Sequence, residues 1–374
     1  MILKNTMNIL LVSTSSWAGM GPYASEIINS FANDWNVYFF VVEDERHFFS
    51  KNITKGMHDR GRIMYRENSS INKLMDLFFP PSCIEKPLMK FCKEKEIDVI
   101  HFLTSEVPYS KTIQKLVSQY KVFFTVHDLH PHESKKAFHK QLRHKMMYRK
   151  LAQTRQGVLN LITNSRSQER ELKEMYPSKN IYYHEFPSLI NQTIVSGRET
   201  PPEIEGLDDY VLFFGRIEQY KGIDLAYKAF TEDSDLRKHT LVLAGSGDIY
   251  FPIESFPNIV LINRYIKDEE LACLFEHAKV TLYPYISATQ SGVLSVSCYF
   301  GKPIVASDVP FFQSVERNGL GVNFKCGDIE DLKDKIKKIL NTDASLISDV
   351  EKKYYESNFS KEGLRNILLK IYRI

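Results

Sequence analysis

Two cations five residues apart, Arg216 and Lys221, follow an apolar run that ends in glycine, in the stretch FFGRIEQYKGID (213–224). Gly215 leaves room beside the backbone, and Lys221-Gly222 opens a helical pattern. A planar cationic fork, a compact ammonium and the positive end of a helix then converge, which suits a diphosphate. Alone, two such residues are most simply solvated surface charges; the pattern around them favours a site. A second stretch, ATQSGVL (288–294), has the neutral hydroxyls and amides of a ligand mouth. The backbone N–H groups of Ser291, Gly292 and Val293 stand at a helix start, where anions are well received. Yet no acidic side chain occurs from Ser287 to Lys302, so this segment supplies no carboxylate chemistry. His127 ends the apolar run KVFFTV and is placed to hydrogen-bond a ligand, although an isolated histidine there is also readily a structural one bonded to backbone.

Other chemistries are disfavoured. His127, His130 and His132 are not brought together by strand and turn spacing, and Glu43-Asp44-Glu45 reads as a polar strand end rather than a metal motif, so no metal and no cofactor is expected. AGMGPYA (18–24), with Glu43 about 20 residues on, mimics a dinucleotide fingerprint. The first glycine of such a fingerprint follows its strand at once, whereas here Ser15-Ser16-Trp17 intervene. A longer glycine loop, in which Gly19 and Gly21 let backbone amides approach a ligand, fits better.

The elements that must hold these residues are legible as apolar runs. NILLVS (8–13), VYFFVVED (37–44), DVIHFL (98–103), KVFFTVHD (121–128), VLNLITNS (158–165) and NIYYHEF (180–186) read as buried parallel strands separated by helical patterns. The rhythm breaks over 187–207, where Pro201-Pro202 and a polar spread predict a linker. It restarts with YVLFFG (210–215), TLVLAG (240–245), NIVLIN (258–263), VTLYPY (280–285) and PIVASD (303–308), with helices over 221–231, 268–278 and 291–300. The tail from about 329 is helical, and ILLKIYRI is an amphipathic end that needs a surface. The expected organisation is an N-terminal Rossmann-like domain over 1–186, a linker over 187–207, a C-terminal Rossmann-like domain over 208–350, and a helix over 351–374 returning to the N-terminal domain. Two doubly wound α/β domains would face a central cleft, with ligands at the C-terminal strand ends.

Composition agrees with a globular protein: of 374 residues, 43% are hydrophobic and 25% charged, with a net charge of +3 too small to imply nucleic acid. Five scattered cysteines without a CxxC pair favour reduced thiols in a cytoplasmic protein over disulfides or zinc. No apolar run reaches the roughly 20 residues of a membrane span. KKAFHKQLRHKMMYRKLAQTR, Lys135 to Arg155, has eight Lys/Arg and no Asp/Glu. Phe138, Leu142, Met146 and Leu151 fall near one helical face, which suggests an anionic membrane surface or a lipid-diphosphate acceptor rather than nucleic acid.

GRIEQYKGIDLAYKAF closely resembles the strand–loop–helix of the retaining family 4 glycosyltransferases, also called group 1, which have the GT-B fold. LVLAGSGD (241–248) is similar to the family's next strand and Gly-x-Gly turn, NRYIKDEELACLFEHAKVTLYPY (263–285) to its nucleotide-contacting segment, and SGVLSVSCYFGKPIVASDVP (291–310) to its Gly-x-Pro segment. DVIHFL and FFTVHDLHP resemble its paired His-containing strand ends. The resemblance implies an enzyme that moves a sugar from a nucleotide diphosphate donor to a hydroxyl of a glycan or lipid-linked oligosaccharide. It implies catalytic roles for Arg216, Lys221 and His127. Donor contacts fall to Gly215, Gly19, Gly21, Gly245, Gly247, Tyr265, Ile266, Thr289, Gln290, Ser291, Gly292, Val293 and Ser297, and acceptor contacts to Trp17, Asp128 and His130. The family's two glutamates, with seven residues between them, correspond to Thr289 and Ser297, so hydroxyls replace both carboxylates. That departure suggests a non-catalytic sugar-nucleotide binder as the first alternative; a nucleotide-sugar epimerase and a dehydrogenase follow.

Overall fold

The computed structural model describes residues 7–16, 20–67, 69, 72, 81–104, 109–127, 129, 138–288 and 291–373, apart from the side chains of 138–144. The chain divides into two units, one formed by residues 1–185 with 361–374, the other by 186–360.

The first unit is a seven-stranded parallel sheet. Its strands in chain order are β1 (Ile9–Ser13), β2 (Val37–Glu43), β3 (Gly61–Tyr65), β4 (Val99–Phe102), β5 (Lys121–Val126), β6 (Asn160–Thr163) and β7 (Asn180–Tyr183), and their spatial order is β3-β2-β1-β4-β5-β6-β7. Continuous apolar strands are the mark of a sheet covered on both faces, and every residue of β1 and β4 is buried. β3 carries no such run: its first four residues are half-buried and its last exposed, as befits an edge strand. It begins at a glycine for a packing reason, since a Cβ on Gly61 would stand 2.1 Å from the Phe39 ring. The last helix, Lys361–Arg373, completes this unit with buried Leu364, Leu368, Ile371 and Tyr372. The Arg365 guanidinium grips Asp34 through two bonds of 2.5 and 2.6 Å.

The second unit is a six-stranded parallel sheet of β8 (Tyr210–Phe214), β9 (Leu241–Ala244), β10 (Ile259–Ile262), β11 (Ala278–Tyr283), β12 (Ile304–Ser307) and β13 (Gly321–Phe324), in spatial order β10-β9-β8-β11-β12-β13. The order reverses beside β8, whose neighbours are β9 and β11. Such a switch point opens a crevice at the C-terminal strand ends. The loop after β8, which holds the cationic pair, and the segment after β11 flank it.

Residues 187–207, expected as a linker, lie within the second unit. Ile190, Ile194 and Ile204 join its core. Gly197 touches the helix Asp268–Glu276 so closely that a Cβ would meet the Glu269 carbonyl at 2.5 Å. The Arg264 guanidinium holds Glu203 and Glu270 at once, with four contacts of 2.8–3.0 Å. Pro-rich polarity was a poor guide because three well-spaced isoleucines carry the burial. The helical tail is three helices, Ile329–Leu340, Ala344–Asn358 and Lys361–Arg373, and the chain passes back to the first unit after Ser360.

Candidate functional site

β8 ends at Phe214, and Gly215 turns the chain with φ 145°. A single turn, Gln219–Lys221, carries it to Gly222, whose φ of 62° is the left-handed region that glycine tolerates best. The helix Ile223–Glu232 starts there. Two of its starting N–H groups are already engaged: Leu225 N–H donates to Gly222 O, and Asp224 N–H to the Tyr250 hydroxyl at 3.3 Å.

The two cations have different surroundings. Arg216 is 71% exposed and pairs with Glu218 at 2.8 Å, a partner absent from the sequence-based expectation. Lys221 is only 7% exposed. Its Nζ donates to the Tyr285 hydroxyl at 2.6 Å and lies 4.4 Å from the centre of that ring and 5.6 Å from the Tyr220 ring. Among the described residues no carboxylate pairs with it. Burial, aided by the nearby Arg216 charge and opposed by Glu218, lowers the Lys221 pKa from 10.5 to about 8. Burial also pushes the Tyr285 phenol well above its usual range, so it is neutral.

Glycines let these loops meet. A Cβ on Gly215 would stand 3.1 Å from Lys221 Nζ, so its absence leaves that side of the amine uncovered by side chain. A Cβ on Gly245 would meet Gly215 O at 2.0 Å, and one on Gly247 would meet Ile217 O at 2.2 Å. Asn263 fixes Gly247 by both its N–H and its carbonyl, each at 3.1 Å. The expected Gly-x-Gly turn is therefore used for loop-to-loop approach.

The other expected donor residues separate. Tyr265 is 73% exposed, whereas Ile266 is buried in the core. Ser291 and Gly292 are half-buried at the start of the helix Val293–Phe300, and Val293 is buried. Leu189 overlies the turn: a Cβ on Gly292 would meet Leu189 Cγ at 2.6 Å. Ser297 is fully buried, and its hydroxyl is 2.7 Å from the Tyr283 hydroxyl. It is the fifth residue of that helix and faces the sheet, bonded to Tyr283 rather than to the Lys221 group. Thr289 and Gln290 lie outside the described residues, as do Trp17, Gly19, Asp128 and His130.

In the first unit Gly21 lies in the first turn of the helix Met20–Ser30 rather than in a loop, and its missing side chain makes room for Phe48, 2.8 Å from a built Cβ. The Glu43 carboxylate accepts from Ser50 N–H at 3.0 Å and Ser50 Oγ at 2.6 Å, and meets His47 at 3.2 Å. His127 is buried, with Nε2 donating to Leu103 O at 2.7 Å and the Tyr23 ring edge-on at 4.6 Å. It belongs to a buried group of polar rings. His101 lies between the hydroxyls of Tyr372 (2.6 Å) and Thr125 (2.8 Å), and Tyr23 Oη lies 3.3 Å from His184. Burial and mutual repulsion lower the His101 pKa well below 6.5 and the His184 pKa to about 4, so both rings are neutral.

The basic run forms the helix Phe138–Gly157. Lys145 and Arg149 are exposed, but Arg155 and Leu151 are buried, Leu151 within the core of this unit. The face expected to carry Leu151 outward is thus partly a packing face, because helical spacing alone does not say which side meets the sheet. Among the described residues no three His, Cys, Asp or Glu side chains converge on a metal position, and no helix is long and apolar enough to cross a membrane.

The residues missed by sequence reasoning are Tyr285, Tyr220 and Glu218. The signal for Tyr285 was present, as an aromatic just past a strand end in VTLYPY, but its partner lies 64 residues away.

The second unit thus brings a buried ammonium and glycine-lined loops to its switch point, and comparison with known proteins narrows the class. Residues 199–357 match the family described as Glycosyl transferases group 1. The fold is similar to that of Anabaena HepE in complex with UDP (TM-score 0.67, 13% identity, covering 98% of this chain and 100% of that one). It is also similar to sucrose-phosphate synthase from Thermosynechococcus elongatus (0.64, 17%, 98% and 98%) and to the lipopolysaccharide outer core galactosyltransferase WaaB (0.58, 14%, 98% and 99%). No curated protein matches the sequence. The two parallel-sheet, Rossmann-like units make the fold GT-B. With the group 1 domain in its second unit, the chain is a glycosyltransferase.

Proposed function

We propose that this enzyme moves a sugar, with retention, from a nucleoside diphosphate donor to a hydroxyl of a glycan or lipid-linked oligosaccharide, in the manner of family 4. The observation that carries the reading is Lys221: a buried ammonium, with no carboxylate pairing to it among the described residues, placed beside Gly215 at the switch point. When the bond from the sugar's anomeric carbon to the diphosphate breaks, negative charge grows on the leaving oxygen. A fixed cation in a dry site stabilises that charge where it forms. Arg216 adds a second cation once the diphosphate displaces Glu218 from it. The anomeric carbon bonds to the acceptor oxygen, and the acceptor's proton passes to the leaving phosphate, so no protein nucleophile is required. The Ser291 hydroxyl and the backbone amides of Ser291, Gly292 and Val293 would form a neutral cradle for the donor. Similarity to a structure solved with UDP and to a lipopolysaccharide galactosyltransferase supports a nucleotide-sugar donor and a surface-glycan acceptor.

Transfer from a panel of nucleotide sugars, with product stereochemistry read by NMR, tests this directly. Arg216→Ala and Lys221→Ala should each lower the transfer rate severely, and wild-type rates in both would refute the reading. The exposed Lys145 and Arg149 support a peripheral position on the inner face of the cytoplasmic membrane, through the basic helix. Binding to vesicles with anionic lipid that falls with salt, and is lost on Lys-to-Glu changes, is the expected result.

A further inference from the structure

Lysine is a poor positioning device by itself: a compact charge on a flexible four-carbon stem. Something must hold Lys221, and its position is set by the segment after β11. We propose that Tyr285 is a positioning residue for Lys221, holding the ammonium beside Gly215 where it meets the donor's diphosphate. This inference rests on the transfer reading above.

Tyr285 is itself fixed on every side. The Ser307 hydroxyl donates to its carbonyl at 2.5 Å, and its ring packs edge-on against Phe312 (5.1 Å) and Tyr283 (6.0 Å). Its neighbours clamp the lysine loop directly. Ile286 N–H donates to Tyr220 O at 2.7 Å, and Pro284 O abuts Gly222 so closely that a Cβ there would lie 2.0 Å away. Residues 284–286 therefore hold 220–222 by a main-chain bond, a close contact and the Tyr285–Lys221 pair together.

The chemistry of the anchor matters. A carboxylate would orient Lys221 equally well but would neutralise the charge that the diphosphate needs. A phenol orients through an uncharged oxygen and the electron-rich face of its ring. The titratable and charged groups facing Lys221 are Arg216, Glu218 and Tyr220 from its own loop and Tyr285 from the end of β11; Glu218 is occupied by Arg216. Tyr285 thus orders the lysine in advance and leaves its charge uncancelled.

The test uses the full chain with UDP, GDP and ADP as probes, measured by calorimetry, together with transfer kinetics. Tyr285→Phe retains the ring and removes only the oxygen. It should fold with wild-type circular dichroism and weaken binding of the preferred diphosphate by about tenfold to a hundredfold, the range for a hydrogen bond to a charged group. It should also move the alkaline limb of the binding–pH profile. In a Lys221→Met background the same Tyr285→Phe change should have no effect, since coupled neighbours are not additive. Wild-type affinity and pH profile in Tyr285→Phe would overturn the proposal. So would a loss that persists undiminished in the Lys221→Met background, which would mark a merely structural tyrosine. If the wild-type chain binds none of the three diphosphates, the transfer reading itself fails.

Discussion

Replacing Lys221 by methionine should make the unliganded protein more stable at neutral pH while removing its activity. The amine titrates at about 8 in the folded chain against 10.5 when solvated, because burial disfavours its charge. Below pH 8 it is charged in both states, and the folded state bears a desolvation cost of about 3 kcal/mol, at roughly 1.4 kcal/mol per pH unit between the two values. Between pH 8 and 10.5 the unfolded chain binds more protons than the folded one, so this cost fades as pH rises and is gone above 10.5. Methionine has similar length and no charge, so its stability relative to wild type should be highest below pH 8 and decline by about 3 kcal/mol across that window. Losing the 2.6 Å bond to Tyr285 works the other way, by about 1 kcal/mol, but does so at every pH. The pH trend is therefore the decisive quantity. Urea unfolding of both proteins at pH 7, 8, 9 and 10 measures it. A difference that stays flat with pH, or grows with it, would refute the claim that a desolvated ammonium sits at this position.

Further outcomes follow from other parts of the molecule. Gly222→Ala should fail to fold or lose most of its stability, because the left-handed φ of 62° and the Pro284 carbonyl 2.0 Å from the new Cβ cannot both be relieved locally; soluble yield and thermal melting check this. Arg264→Ala should cost about 1–3 kcal/mol in urea unfolding, since it leaves the buried Glu270 carboxylate with only the Lys267 N–H as partner among the described residues and releases Glu203. Glu351 is buried, and neither carboxylate oxygen has a hydrogen-bond partner among the described residues; burial raises its pKa well above 4.5, with Lys302 and Lys352 opposing. Folded above unfolded means that stability is lost as pH rises from 4.5 towards the folded value, so Glu351→Gln should gain on wild type between pH 5 and pH 8 in urea midpoints. An advantage that shrinks over that interval would contradict a neutral buried acid.

Much of the architecture was legible because parallel strands buried on both faces advertise themselves as short apolar runs. β1, β2, β8 and β9 lie within a residue or two of their expected bounds. β3 and β13 were not legible: GRIMY and GVNF are edge strands with half-buried residues, and each opens with a glycine that serves a packing contact rather than a turn signal. The cationic loop was readable because a strand-end glycine, an arginine and a lysine are local features. Tyr285 and Glu218 as partners were not, because the first depends on a contact between distant segments and the second on a side-chain rotation. Ser297 shows the limit of carrying a position over by alignment: the helix Val293–Phe300 turns that side chain towards Tyr283, and no spacing rule contains the rotation.

The closing helix Lys361–Arg373 belongs to the unit built from the first half of the chain. During synthesis the first sheet can therefore form, but its Tyr372–His101 bond and Arg365–Asp34 clasp must wait until residues 361–373 have emerged from the ribosome. The second unit, continuous from residue 186 to 360, can be complete before then. For this chain the usual order of vectorial folding, first unit first, is reversed at its final step. A nascent chain stalled before residue 361 would leave uncovered the apolar surface that Leu364, Leu368 and Ile371 pack against, and offer it to chaperones.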